Sequence, residues 1–131
     1  MYGKAEPLFQ QALDIRARSL GEGHPDYATS LNNLAELYDD MKRYDEARPL
    51  LEKALAIRGR SLGKVHPDYA SSLNNLGALY KSLHLFEQAE PLFLEAGEIN
   101  RRVYGELSWP YAQILGNLAI ALRWPSRQLL V

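Results

Sequence analysis

Histidines, paired carboxylates, and a recurring set of arginines and asparagines are the side chains here with the chemistry to bind or react. His24 and His66 could ligate a metal or act as a base. Both sit in the string His-Pro-Asp-Tyr-Ala, 42 residues apart. Residues that recur once per structural unit point the same way but lie a whole unit apart. That is too far to share an ion that needs each ligand at about 2 Å. They read as residues at helix starts, and His84 as a lone, solvated turn residue. Asp39-Asp40 and Asp45-Glu46 lie beside Lys42 and Arg43, a solvated turn rather than a general acid and base. No Gly-rich phosphate loop, nucleophile elbow or His-Glu-x-x-His string occurs. With no cysteine, disulfides, thiolate metal sites and a cysteine nucleophile are excluded. The chain is therefore expected to hold no catalytic residue, metal or cofactor, and not to be an enzyme. The pairs Arg16/Arg18, Arg58/Arg60 and Arg101/Arg102 suit negative helix ends, or alternatively a phosphate or acidic partner.

Elements that could position such residues must be helical. Leu and Ala abound while valine occurs only at Val65, Val103 and Val131. The hydrophobic share of 47% is that of a folded domain, and 131 residues suffice for a core. Fifteen basic and 16 acidic side chains nearly cancel, which argues against a nucleic-acid partner. No apolar run approaches the roughly 20 residues that span a bilayer. The N-terminal Met1-Tyr2-Gly3-Lys4-Ala5-Glu6 has no apolar signal core. A cytoplasmic location is expected, with neither membrane nor nucleic acid as partner.

The strongest signal is an internal repeat. His24-Pro25-Asp26-Tyr27-Ala28, Ser30-Leu31-Asn32-Asn33-Leu34 and Leu37-Tyr38 return at His66-Pro67-Asp68-Tyr69-Ala70, Ser72-Leu73-Asn74-Asn75-Leu76 and Leu79-Tyr80. Pro7-Leu8, Ala12-Leu13, Ile15-Arg16 and Arg18-Ser19-Leu20-Gly21 return in the same register from Pro49 to Gly63. Of the 42 positions aligned from Glu6 and Arg48 onward, 23 are identical. A weaker third copy carries Glu90-Pro91-Leu92-Phe93, Ile99, Tyr111-Ala112, Leu115 and Asn117-Leu118-Ala119. Such a period signals units that stack on their neighbours.

Each unit reads as two helices, A then B. Tyr27, Ala28, Leu31, Leu34, Ala35, Leu37 and Tyr38 recur at helical spacing. Pro25 suits a first turn, Asp45 an N-cap, and Gly63 a helix end. Ala47, Leu50, Leu51, Ala54, Leu55 and Ile57 give helix B its apolar side, with Pro49 near its first turn. The spacing predicts helices over roughly 5–20, 25–41, 45–62, 67–83, 87–104 and 110–124.

These residues resemble a tetratricopeptide repeat. Leu34-Ala35 with Tyr38 and Leu76-Gly77 with Tyr80 match the family's helix A. Ala47, Leu51, Ala54, then Ala89, Phe93, Ala96, and Ala5, Phe9, Ala12 match its helix B. The 42-residue period and the His-Pro-Asp-x-Ala…Leu-Asn-Asn-Leu-Ala string are similar to the kinesin light chain subgroup. The resemblance implies an all-α fold, a right-handed α-α superhelix of about six antiparallel helices. It divides the chain into a half-unit over 4–22, repeats over 23–64 and 65–106, a half-unit over 107–124, and a tail over 125–131. It further implies a protein or peptide partner in a concave groove lined by helix A.

On helix A, Asn32, Asn33, Asn74, Asn75 and Asn117 offer a donor and an acceptor together, and could bond the backbone of an extended peptide. Asn33, Asn75 and Asn117, one per unit, would form a ladder flanked by Thr29, Asn32, Glu36, Ser71, Asn74, Lys81, Gln113 and Arg123. The alternative is that one asparagine of each pair bonds within its repeat. The family's clamp for C-terminal carboxylates needs basic residues where this chain has Asn32, Glu36, Asn74, Ala78, Gly116 and Ile120. An acidic C-terminal tail is therefore not the expected ligand.

The third helix A departs from the pattern. Ser108-Trp109-Pro110 replaces His-Pro-Asp, Leu122 replaces the tyrosine, and Pro125 should stop the helix. The order is B-A-B-A-B-A, so the ends suggest a truncation, an excised fragment or a genuine cap. Apolar stripes at Leu8, Phe9 and Leu13, and at Leu115, Leu118, Leu122 and Trp124, could pair two chains as a homodimer, the favoured outcome, or join chains head to tail into an open filament. Two further roles stand beside peptide binding: a self-assembling structural repeat, and a regulatory segment of a larger signalling enzyme.

Overall fold

A computed structural model describes residues 2–123. The elements are α1 (Tyr2–Leu20), α2 (Pro25–Asp40), α3 (Tyr44–Ser61), α4 (Pro67–Ser82), α5 (Phe86–Tyr104) and α6 (Trp109–Arg123). Among the described residues there is no strand. Trp124, the stop at Pro125 and the tail lie outside the described residues. No described helix is long and apolar enough to cross a membrane.

Helix starts explain the recurring histidines. His24 and His66 are the N-caps of α2 and α4, each in extended backbone conformation. Each Nδ1 accepts the backbone N–H of the residue two positions on, Asp26 or Asp68, at 3.0 Å. The ring nitrogen thus satisfies an otherwise unpaired amide of the first turn. Pro25 and Pro67 follow at the first helical position, where no N–H is needed. Helix α3 starts differently from expectation. Its N-cap is Arg43, which makes no side-chain cap, and Asp45 lies one residue inside the first turn. The Arg43 side chain is engaged instead with Glu46 and with Glu6 of α1, and its guanidinium lies 4.4 Å from the Tyr38 ring centre. Asp45 therefore acts on the positive helix end by charge rather than as a cap.

The chain forms two compact units, one ending at Lys64 and the other starting at Val65. In the first, α2 packs against both α1 and α3. Its core is Leu13, Tyr27, Leu31, Leu34, Leu37, Leu51 and Ile57, with Ala28, Ala35, Ala47 and Ala54 fully buried. Small residues at these contacts let helix axes approach, and the larger ones fill the space between. Leu13, expected on an open stripe, is buried; Phe9 is half-buried, and Leu8 is exposed. Arg16 anchors α1 to α2, donating to the Asp26 carbonyl at 3.1 Å and to Ser30 Oγ at 2.9 Å. The recurrent arginine is here a tie between helices rather than only a terminal charge.

In the second unit, α5 packs between α4 and α6. Phe93, Ala89 and Ala96 are fully buried, with Leu73, Leu76, Leu79, Ile99 and Ile114 around them. At the end of α5, Glu98 accepts from both Arg101 and Arg102, which hold its carboxyl at about 2, well below the usual range. Those arginines therefore pair locally.

Candidate functional site

The expected helix A residues fall into three environments. Asn33 and Glu36 are exposed and line a depression of about 360 Å³ with Phe9, Leu37 and Asp40. Asn32 is buried, only 8% exposed, and neither end of its amide finds a partner among the described residues. Thr29 is half-buried; its hydroxyl donates to the Pro25 carbonyl and accepts from Arg58 Nη2, each at 3.3 Å. Nearby Asp39 is pushed up by burial and then by the neighbouring Asp40 carboxylate.

In the second unit the polar residues divide into a chain and a cavity. Lys81 Nζ donates to Asn117 Oδ1 at 3.1 Å, and Asn117 Nδ2 donates to Asn74 Oδ1 at 3.0 Å. Lys81 and Asn117 are therefore engaged within the unit, and they tie α4 to α6. Asn75 is exposed on the other side of the pair. Towards the starts of α4 and α6 a cavity of about 240 Å³ opens, lined by Ser71, Asn74 and Gln113 together with Pro67, Asp68, Ala70, Pro110 and Ile114. Arg123, at the far end of α6, is exposed and away from it.

Three residues that sequence reasoning passed over complete that cavity: Asn100 and Tyr104 of α5, and Trp109 of α6. Asn100 is buried, and Trp109 is 74% exposed at the rim. The signal for Asn100 was present, because it stands two periods of 42 after Arg16, with Arg58 between. A change of residue type within a repeated position marked the place; its meaning needed the neighbours. Among the described residues, Asp68 is the only charged side chain on the lining. Such a surface suits hydrogen bonding and aromatic contact more than proton transfer, which needs a positioned acid or base.

The geometry, helix pairs related by a fixed period with small residues at the contacts, agrees with the family comparison. The tetratricopeptide repeat model matches residues 1–60 and 40–99. The chain belongs to the tetratricopeptide repeat family. Its repeats are kinesin light chain-like. They are similar to BtubC (BKLC) from P. vanneervenii, at 36% identity and a TM-score of 0.81 over 92% of this chain and 47% of that one. They are also similar to a Podosopora anserina kinesin light chain with nearly identical TPR-like repeats. A point variant of that protein aligns at 26% identity, TM-score 0.84, over 92% of this chain and 57% of that one. Its other structure aligns at 25% identity, TM-score 0.75, over 98% and 64%. The chain thus spans less than two thirds of each of these solved relatives. No curated protein matches it. The tetratricopeptide fold is an all-α solenoid, and repeats of this family generally mediate contacts between proteins.

Proposed function

We propose that this tetratricopeptide chain is an interaction module that receives an extended segment of a partner protein on its helix A surfaces. The observation that carries the reading is the open cavity between α4 and α6. It has uncharged polar groups on its walls, an aromatic rim, and a buried amide at its floor. Asn33 of α2 and Asn75 of α4 support it, because both amides are exposed and neither is used in a hydrogen bond among the described residues. An amide can donate to a peptide carbonyl and accept from a peptide N–H at once, so it grips backbone without reading sequence. Near-neutral net charge, −1 at pH 7, favours a protein over a nucleic acid as that partner. The family's habit of protein contact supports the same class.

Selection of a random peptide library on the immobilised chain tests this reading. Captured peptides should bind the Asn33→Ala/Asn75→Ala double variant about thirtyfold more weakly, since each side chain's lost hydrogen bond is worth about 1 kcal/mol. Unchanged affinity would reject the amides as contacts, and a library that yields no binder would reject the module.

A second reading, self-association, has its own observation. Leu115 and Leu122 of α6 are 45% and 44% exposed, whereas Leu31 and Leu73, at the register position of Leu115, are each 1% exposed. An apolar face of this kind favours a homodimer through the terminal helices.

A further inference from the structure

The α4–α6 cavity holds one side chain that is deeply buried and still unspent. Asn100, on α5, is 9% exposed and makes no hydrogen bond among the described residues. Its amide is not sealed in, because the residue lines the 240 Å³ space. A further donor on the same lining is fixed by its neighbours. Lys81 can only donate, so Asn117 turns Oδ1 to it, at 3.1 Å, and Nδ2 to Asn74, at 3.0 Å. Asn74 therefore accepts through Oδ1 and keeps its own NH2 group for the cavity that it lines. Ser71 and Gln113 add a hydroxyl and a third amide, both uncommitted among the described residues. Tyr104 and Trp109, 51% and 74% exposed, stand toward the mouth.

These uncharged groups select the occupant. The lining has no lysine or arginine among the described residues, so a carboxylate would give up its hydration for neutral donors alone. A cation fares no better, because Asp68, the carboxylate on the lining, is already engaged in an interaction of its own. An apolar side chain would cover the Asn100 amide and leave its donor and acceptor both unmet, at the full cost of their desolvation. A hydroxyl brings a single donor. A primary carboxamide brings two N–H donors and a carbonyl in one plane. It can meet the NH2 group and the carbonyl of Asn100 together, in a two-bond pair, and still offer a lone pair to the Asn74 NH2 group. Glutamine adds a methylene stem that packs against Tyr104 and Trp109 as it enters.

We propose that the cavity is a subsite for a carboxamide side chain of the bound partner segment, glutamine above all, paired amide to amide with Asn100. This rests on the reading of a partner segment on the helix A surfaces and adds the side chain that segment carries. The probe is N-acetyl-glutamine N-methylamide, titrated into the isotope-labelled full chain by NMR beside its glutamate, methionine and arginine analogues. Saturable shifts are expected at the Asn100 side-chain amide and the Trp109 indole N–H. Each of the three analogues should bind at least about fivefold more weakly, the loss expected for one hydrogen bond. Asn100→Ala keeps the space, removes both bonds of the pair, and should weaken the glutamine response at least about tenfold. Should that variant fold poorly, the analogue series on the native chain decides by itself. No saturable shift, an equal or stronger response to any of the three analogues, or an undiminished response in folded Asn100→Ala overturns the subsite. Library peptides that fill this cavity without a carboxamide side chain would sink the subsite and leave the peptide reading standing. Saturation by the glutamine probe with no captured peptide would do the reverse.

Discussion

An exchange of volume between two residues separates the two copies of one close contact of helix A with helix B. A Cβ built on Gly77 would lie 2.8 Å from Phe93 Cε1 and 3.0 Å from its Cδ1. The register equivalents in the first unit are Ala35 and Leu51. One unit thus pairs the smaller helix A residue with the larger helix B residue, and the other trades volume in the opposite direction. Gly77→Ala should gain up to about 1 kcal/mol in helix propensity but lose about 1–3 kcal/mol to overpacking against the buried ring. Phe93→Leu alone should lose stability by leaving a void. The double variant recreates the first unit's pair. A urea-denaturation cycle should therefore show a favourable coupling of at least about 1 kcal/mol between the two changes. Additive effects would mean that the backbone yields and that the volumes are not matched. This matching was half legible in the sequence. The family pattern tolerates Gly or Ala at the helix A position, but only the distance to the ring shows that Gly is required here. Likewise, recurrence placed His24 and His66 at helix starts, but not the Nδ1 acceptor that makes each a cap.

Helix boundaries were legible because Pro25, Pro67 and Gly63 punctuate a strong period, and all six helices lie where the spacing put them. What was hidden is how helix A closes. After α2, Lys42 adopts φ 60°, and after α4 His84 adopts φ 58°, both in the left-handed region that favours glycine. The N–H of Lys42 bonds the Asp39 carbonyl at 2.9 Å, and that of Arg43 bonds Tyr38 at 2.7 Å. The N–H of His84 bonds Lys81 at 3.0 Å, and that of Leu85 bonds Tyr80 at 2.8 Å. These are the paired bonds of a Schellman closure, made without its usual glycine. No residue type in the turn announces such a closure, because lysine and histidine are poor at it. The left-handed conformation costs a residue with a Cβ about 1–2 kcal/mol, part of which glycine returns through its freer unfolded chain. Lys42→Gly should therefore raise stability by about 0.5–1 kcal/mol, read as a higher denaturation midpoint with an unchanged slope. His84→Gly should gain less, because the His84 ring also packs edge-on against Phe86, 5.6 Å between centres. A lower midpoint for Lys42→Gly would mean that its side chain supports the turn in a way the backbone bonds do not reveal.

At the scale of the molecule, register comparison separates ordinary surface from a face suited to cover. Positions that internal helices bury are open on α1 and α6. Ile57 and Ile99 are 1% and 5% exposed, but Ile15 is 55% exposed; Leu115, in register with fully packed leucines, is 45% exposed. Apolar side chains at buried-type positions lose favourable free energy in water at about 25 cal/mol per Å², so two copies gain by covering them. Contact between like faces about a two-fold axis closes after one partner, whereas contact of α6 with α1 of the next copy continues without limit. A closed homodimer is the expected outcome. Light scattering across a concentration series should then move from the mass of one chain to a plateau at twice that value. Leu115→Glu should hold the chain at single mass without lowering helix content, because the charge sits on an exposed face. Continued growth past the plateau would assign the contact to α6 and α1 in succession. A single chain at every concentration would leave these faces as plain surface.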